Sequence, residues 1–190
     1  MVIKDRKTRA VYAHVVPAKG NNPHAVNKLS QALGELGHKK MILKSDQEPA
    51  ILELKELVKI EREDDIVLEE SPVKESQSNG EVERAIQEVQ GQVRTTKAAL
   101  ESRYENRITE DHPCLPWLVA HSADTLRRFQ VHKDGKTAYQ RVRGKVFRRE
   151  VMEFGECVWY YKPGIKGKSK LEPRYENGVW LGMTDRSGET

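Results

Sequence analysis

From Val82 to Leu100 apolar residues return at steps of four, three, four and seven: Val82, Ile86, Val89, Val93, Leu100. That spacing lines up on one face only if the chain is an α-helix. It predicts a helix from about Gly80 to Arg103, about 35 Å long at 1.5 Å per residue. Gly91 lies inside it, and one glycine costs about 1 kcal/mol against alanine, too little to break so long a stripe. Ser78 and Glu81 form the S-x-x-E pattern of a capping box at its start. Such a helix must lay its apolar stripe on something, so the rest of the chain is read for what it can offer.

Ahead of this helix the pattern alternates between strand and helix. Val2-Ile3 and Ala10 to Val16 read as strand pieces around a polar turn, Asp5 to Thr8. In the second piece Val11, Ala13 and Val15 share an apolar face, and Tyr12, His14 and Val16 share a mixed one. Asn21 or Asn22 caps a helix that runs to about Leu36, with Pro23 in its first turn and Gly37 at its end. Its stripe is Val26, Leu29, Leu33 and Leu36. Met41 to Leu43 and Ile66 to Leu68 are short buried-strand candidates. Between them Glu48 to Lys59 is helical by Ile51, Leu54, Leu57 and Val58. Glu70 to Gly80 reads as a mobile loop. A further helix is expected from about Leu115 to Phe129, and strands at Cys157 to Tyr161 and Val179 to Leu181. This order predicts an α/β core over 1–129, a basic linker over 130–150, and a small β-rich unit over 151–190.

Composition narrows the function classes. Apolar residues make up 37% and charged residues 33% of the 190, polar for a compact domain but above the disordered range. No run of eighteen apolar residues exists and no signal-peptide core opens the chain, so neither a membrane span nor secretion is expected. Cys114 and Cys157 form no C-x-x-C pair, and the six histidines include no H-x₃₋₅-H pair, which disfavours a zinc site. Net charge is only +4 but uneven: Asp46 to Glu83 holds 13 acidic and 4 basic side chains, Arg127 to Arg174 holds 14 basic and 5 acidic. A basic back half suits a polyanionic partner.

Two carboxylates stand out by position. Asp46 lies just past a buried strand, where α/β proteins place reacting groups. Glu83 lies in the first turns of the long helix, with 36 residues between them. Across a cleft such groups repel unless cations intervene, and Mg²⁺ (or Mn²⁺) is the natural one for hard oxygen ligands. Asp46 as a helix cap and Glu83 as an exposed acid near a helix start is the plainer alternative. Gln87, Gln90 and Arg94 follow Glu83 at i+4, i+7 and i+11, a polar stripe able to lie along DNA, or simply a solvated face.

The segments Lys44-Ser45-Asp46-Gln47-Glu48 and Gln77-Ser78-Asn79-Gly80-Glu81-Val82-Glu83-Arg84 resemble the catalytic core of retroviral and retrotransposon integrases. That family carries an Asp, Asp, Glu triad on a ribonuclease-H-like fold, a mixed sheet flanked by helices. The resemblance implies that Asp46 and Glu83 are its second and third members and metal ligands, with Glu48 standing where the motif usually has Gly. Asp5-Arg6-Lys7-Thr8-Arg9 and Val11-Tyr12-Ala13 resemble the second and third strands of that core. The first Asp would lie ahead of Met1. Phe154 to Val158, Lys170 to Arg174 and Gly178 to Gly182 resemble the post-core region of the copia-type subgroup, and Trp117 the Trp that often opens the core's last helix. The expectation is a piece of an integrase, cut at both ends and lacking one catalytic Asp.

The resemblance implies DNA integration by polynucleotidyl transfer, a DNA partner, compatibility with a homo-oligomer, and an intracellular, nuclear setting. Arg143, Lys145, Arg148 and Arg149 join Gln87, Gln90 and Arg94 as candidate DNA contacts. A non-catalytic nucleic-acid-binding module derived from a retrotransposon is the second reading. A ribonuclease-H-like nuclease of another lineage is a weaker third, opposed by the copia-like C-terminal residues.

Overall fold

The computed structural model describes residues 1–72, 79–162 and 173–183. In chain order its elements are β1 (Val2–Lys4), β2 (Val11–Ala13), α1 (Pro23–Leu36), β3 (Lys40–Ser45), α2 (Pro49–Glu61), β4 (Asp65–Glu70), α3 (Gly80–Tyr104), α4 (Leu115–Phe129), α5 (Ala138–Arg143), β5 (Cys157–Tyr161) and β6 (Tyr175–Val179). The fold is mixed α/β, and the described strands pair two by two: β1 with β2, β3 with β4, β5 with β6.

The β1–β2 hairpin is antiparallel, Ile3 opposite Tyr12. Asp5 closes its turn: the Thr8 amide (2.9 Å) and hydroxyl (2.5 Å) both donate to its Oδ2, and its own amide donates to Ala10 O. An aspartate bonding its own backbone a few residues on is a common way to shape a turn. α1 is capped by Asn22, whose Oδ1 accepts from the His24 and Ala25 amides, and ends at Gly37 with φ 70°. That left-handed conformation is open to glycine without strain.

β3 and β4 run parallel, Met41 opposite Ile66, with α2 as the crossover between them. Leu29 and Leu33 of α1, Leu54 and Val58 of α2 and Ile66 of β4 form one core cluster, with Ile3, Met41, Leu43 and Leu68 packed against it. A second cluster joins Val11 and Ala13 of β2 to Ala85 and Val89 of α3 and Ala123 of α4. A third puts Tyr12 against Ala32 of α1 and Ala138 of α5. The β5–β6 pair docks through Phe154, buried with Leu100 and Leu118. There Gly155 lies so close to Leu100 that an added Cβ would stand 2.3 Å from its Cδ1, and its φ is 81°. Trp180 is buried beside His121 and Phe154.

Several expectations need correction. The single mixed sheet is replaced by two separate two-stranded sheets, β1–β2 and β3–β4, which share apolar contacts around Leu29 and Val58 rather than a ladder. The last strand is Tyr175–Val179 instead of Val179 to Leu181, because Trp180 is used as a buried anchor and the chain ahead of it pairs with β5. Residues 130–150, read as patternless, contain α5, capped by Thr137 and fixed by buried Ala138. Of the proposed capping box, Ser78 lies outside the described residues, as does most of the expected loop. Glu81 pairs with Arg6 and Arg9 across to the hairpin.

The basic back half is also partly structural. Arg127 and Arg128 are each only 6% exposed. Arg127 meets Asp124 (2.6 Å) and Glu35 (3.7 Å) and stacks 4.3 Å over the Tyr12 ring. Arg128 binds Asp124 and lies 4.6 Å from the Phe147 ring centre. Glu35 is itself 5% exposed at its side chain, so losing Arg127 would take a cation away from a buried acid.

Two outcomes follow from this packing. Arg127→Ala should cost about 3–5 kcal/mol in urea unfolding, the range for breaking a buried pair. An exposed-arginine effect below about 1 kcal/mol would contradict that burial. The second concerns pH. Burial holds the His121 imidazole below its usual range, with Asp124 pulling it up and Arg128 pushing it further down. Its Nδ1 is buried without a partner. The unfolded chain therefore takes up this proton first, so stability is full above about pH 6.5 and falls as pH drops toward the lower folded value. His121→Phe should reduce the loss of melting temperature between pH 7.5 and 5.5. His132, shifted the same way by burial, keeps the remainder.

Candidate active site

Parallel pairing brings the C-terminal ends of β3 and β4 side by side, Ser45 opposite Glu70. The next residues are Asp46 and Ser71. Ser71 is 3% exposed and ties three segments together. Its amide donates to Ser45 O at 2.8 Å, its hydroxyl to Asn79 Oδ1 at 2.5 Å, and its carbonyl accepts from Gln47 Nε2 at 3.2 Å. Asn79 is the residue before α3, and Glu83 follows it by about one helical turn. A buried serine thus fastens the start of the Glu83 helix to the strand end that carries Asp46.

Both carboxylates are exposed. Asp46 accepts one long hydrogen bond from the Glu48 amide, 3.4 Å, and the α2 cap is Glu48 with no side-chain bond. The plain helix-cap role for Asp46 therefore has little hold. Glu83 makes no hydrogen bond or ion pair among the described residues. The surroundings of Asp46 are mixed in charge. Lys19 pairs with Glu48 at 2.7 Å, which raises its affinity for its proton, with Asp46 adding to the effect. Lys55 is buried and donates to Glu69 O at 2.8 Å. Burial pushes its ammonium down, against the pull of Glu70, Asp46, Glu56 and Glu69. Lys44 binds Glu69 at 2.6 Å and holds that carboxyl below its usual range.

As a metal site the donor set is partial. Among the described residues no group of three or more His, Cys, Asp or Glu stands ready to hold an ion. Asp46 and Glu83 supply two hard oxygen donors in open positions, which fits a Mg²⁺ or Mn²⁺ ion that keeps most of its waters. They do not make a full triad.

The remaining candidates fall into two places. Gln87, Gln90 and Arg94 are all exposed along α3 on the Glu83 side, as their spacing requires. Arg143, at the end of α5, and Lys145, Arg148 and Arg149 just after it are exposed too. That segment sits beside α4, where Phe147 packs edge-on against Phe129 and Tyr139. Sequence reasoning treated Asp5 to Thr8 as an ordinary turn. Its cations instead face the start of α3, where Arg6 Nε donates to Glu81 at 3.0 Å. The signal was the density of Arg and Lys from Lys4 to Arg9, which periodicity does not weigh.

No family model matches the sequence, and no curated protein does. Solved structures do. A chain from the simian T-cell lymphotropic virus intasome in complex with PP2A regulatory subunit B56 gamma superposes with a TM-score of 0.54 at 19% identity. The match covers 94% of this chain and 60% of that one, so this chain spans less than two thirds of its length. The catalytic core domain of BIV integrase gives a TM-score of 0.48 at 17% identity, covering 73% of this chain and 81% of that domain. The likeness to the intasome chain shows a shared fold, a mixed α/β one.

Proposed function

We propose that this chain is an integrase-type protein of DNA integration and transposition, with Asp46 and Glu83 as two of three carboxylates on a ribonuclease-H-like core. The observation that carries the reading is the Ser71 junction, which gathers the Ser45-Asp46 strand end and the start of the Glu83 helix at one end of the β3–β4 pair. The integrase-like fold supports it independently. Mg²⁺ or Mn²⁺ held by the full set would activate an attacking 3′-hydroxyl and stabilise the leaving oxygen. The chain's own residues would position DNA: Gln87, Gln90 and Arg94 along the backbone beside Glu83, and Arg143, Lys145, Arg148 and Arg149 on further phosphates. In this reading 1–129 is the partial core, 130–150 connects it, and 151–190 belongs to a post-core unit. A DNA target implies action in the nucleus, and a second copy of the chain is a compatible partner.

A non-catalytic DNA-binding module is the second reading, favoured by the exposed basic run of Arg143, Lys145, Arg148 and Arg149. Titration with Mn²⁺ alone separates the two. In the integrase reading the chain binds Mn²⁺ weakly, and Asp46→Asn with Glu83→Gln lowers that affinity at least tenfold while leaving duplex affinity unchanged. Mn²⁺ affinity indifferent to both substitutions would leave the DNA-binding module.

Ser71→Ala should lose about 1 kcal/mol of stability, since it removes the hydrogen bond to the half-buried Asn79 amide oxygen. It should also weaken Mn²⁺ binding several-fold, although Ser71 is no ligand. The purified chain should not join labelled oligonucleotides with either metal. Metal-dependent joining would show that two carboxylates suffice.

A further inference from the structure

α3 has a second polar flank. Glu81, Arg84 and Glu88 recur at helical spacing on a face turned away from Glu83, Gln87 and Gln90. They form one wall of an open hollow of about 820 Å³. The β1–β2 turn supplies the second wall, and the short turn after α4, held by the bridge between Val131 and Thr137, supplies the third. Seven lysines and arginines line it against three acids, Glu81, Glu88 and Asp134. The net charge of the lining, +4, equals that of the entire chain.

The acids are already taken up by guanidinium groups. Glu81 meets Arg6 at 3.0 Å and Arg9 at 3.8 Å, Asp134 meets Arg141 at 2.6 Å, and Glu88 meets Arg84 at 3.3 Å. The surplus is therefore carried by lysines. Lys7 and Lys133, exposed on opposite walls, make no ion pair among the described residues. Lys4 is half-buried and donates only to Arg9 O, at 2.8 Å, and burial lowers its ammonium's hold on its proton. That carbonyl belongs to a non-glycine residue in the left-handed region, φ 66°, an unfavourable conformation kept in place at this rim. His132 lines the same hollow, and its Nε2 is buried with no partner. Unpaired cations on concave walls focus a positive field toward the centre of the space between them.

We infer that this hollow is an anion site for a ligand carrying two or more closely spaced phosphates, distinct from the Asp46–Glu83 pair. One phosphate would reach one wall, whereas a chain of phosphates can meet Lys7, Arg84 and Lys133 together, on three different elements. The phosphates belong either to a DNA backbone passing on this side of α3 or to a free polyphosphate. The site does not depend on metal binding by the two carboxylates.

The test uses the full chain and inorganic tripolyphosphate, followed by calorimetry in metal-free buffer. Wild type should bind, with affinity falling as salt rises. Lys7→Glu with Lys133→Glu should lose at least tenfold, while Lys145→Glu with Arg148→Glu and Asp46→Asn with Glu83→Gln leave the affinity unchanged. If the Lys7 and Lys133 variant fails to fold, Arg84→Ala should show a loss of the same sign. No binding by wild type, or an equal loss in the Lys145 and Arg148 control, overturns the site. Displacement of tripolyphosphate by duplex DNA identifies the occupant as backbone, and persistence of binding in excess duplex identifies a free polyphosphate. Because Asp46 and Glu83 are untouched in the decisive variant, failure here and failure of the integrase reading are separable.

Discussion

Tyr12 and Arg127 stack at 4.3 Å between the two faces of a strand only three residues long. Val11 and Ala13 point from that strand toward α3 and α4, while Tyr12 points toward α1 and α5. All three are under 5% exposed. β2 is thus the partition between two apolar clusters, and it is too short to be held by backbone bonds to β1 alone. The guanidinium of Arg127, fixed by Asp124 and Glu35, completes the Tyr12 side. Through this contact α4 and α1, far apart in sequence, are set in position, and α3 is placed with them.

With α3 so placed, the end of the molecule that carries Asp46 and Glu83 is organised by hydrogen bonds rather than by apolar burial. Parallel strands deliver Asp46 and Ser71 to one edge, and Ser71 reaches the residue before α3. The local acids and lysines are balanced there by Lys44–Glu69, Lys19–Glu48 and the buried Lys55 ammonium. Asp46 and Glu83 stay outside those pairs. Carboxylates left exposed beside neutralised neighbours can take a divalent ion without first breaking a salt bridge.

Legibility in the sequence tracked the reach of each signal. The helices from Pro23, Pro49, Gly80 and Leu115 are amphipathic over three turns or more, and local spacing defines them well. Asn22 and Gly37 were readable because caps are chemistry between residues two to four apart. β6 was displaced because Trp180 looks like a strand residue but serves as an anchor against His121. α5 was missed because six residues carry too little periodicity, and the pairing of Glu81 with Arg6 was invisible because Arg6 lies 75 residues away in the chain. Of the candidate site, the positions of Asp46 and Glu83 at element ends were visible. The Ser71 link was not, since a serine in a polar stretch carries no pattern.

Charge counting misled in an instructive way. Fourteen basic residues between Arg127 and Arg174 read as a single phosphate-binding stretch. Two of them are buried in ion pairs and under aromatic rings, and Arg141 is committed to Thr8 O and Asp134. Meanwhile Lys4, Arg6, Lys7 and Arg9, around a turn read only as polar, line one wall of a positive hollow. Linear density records how many charges a segment has, whereas the field depends on which of them lack a carboxylate in space. α3 therefore separates two electrostatic environments. Glu83 faces one in which an acid lacks a cation, and Arg84, its neighbour, faces one in which cations outnumber acids. A helix with an unpaired acid on one flank and a lysine-rich hollow against the other can bring a divalent ion and a phosphate chain to the same element without either quenching the other.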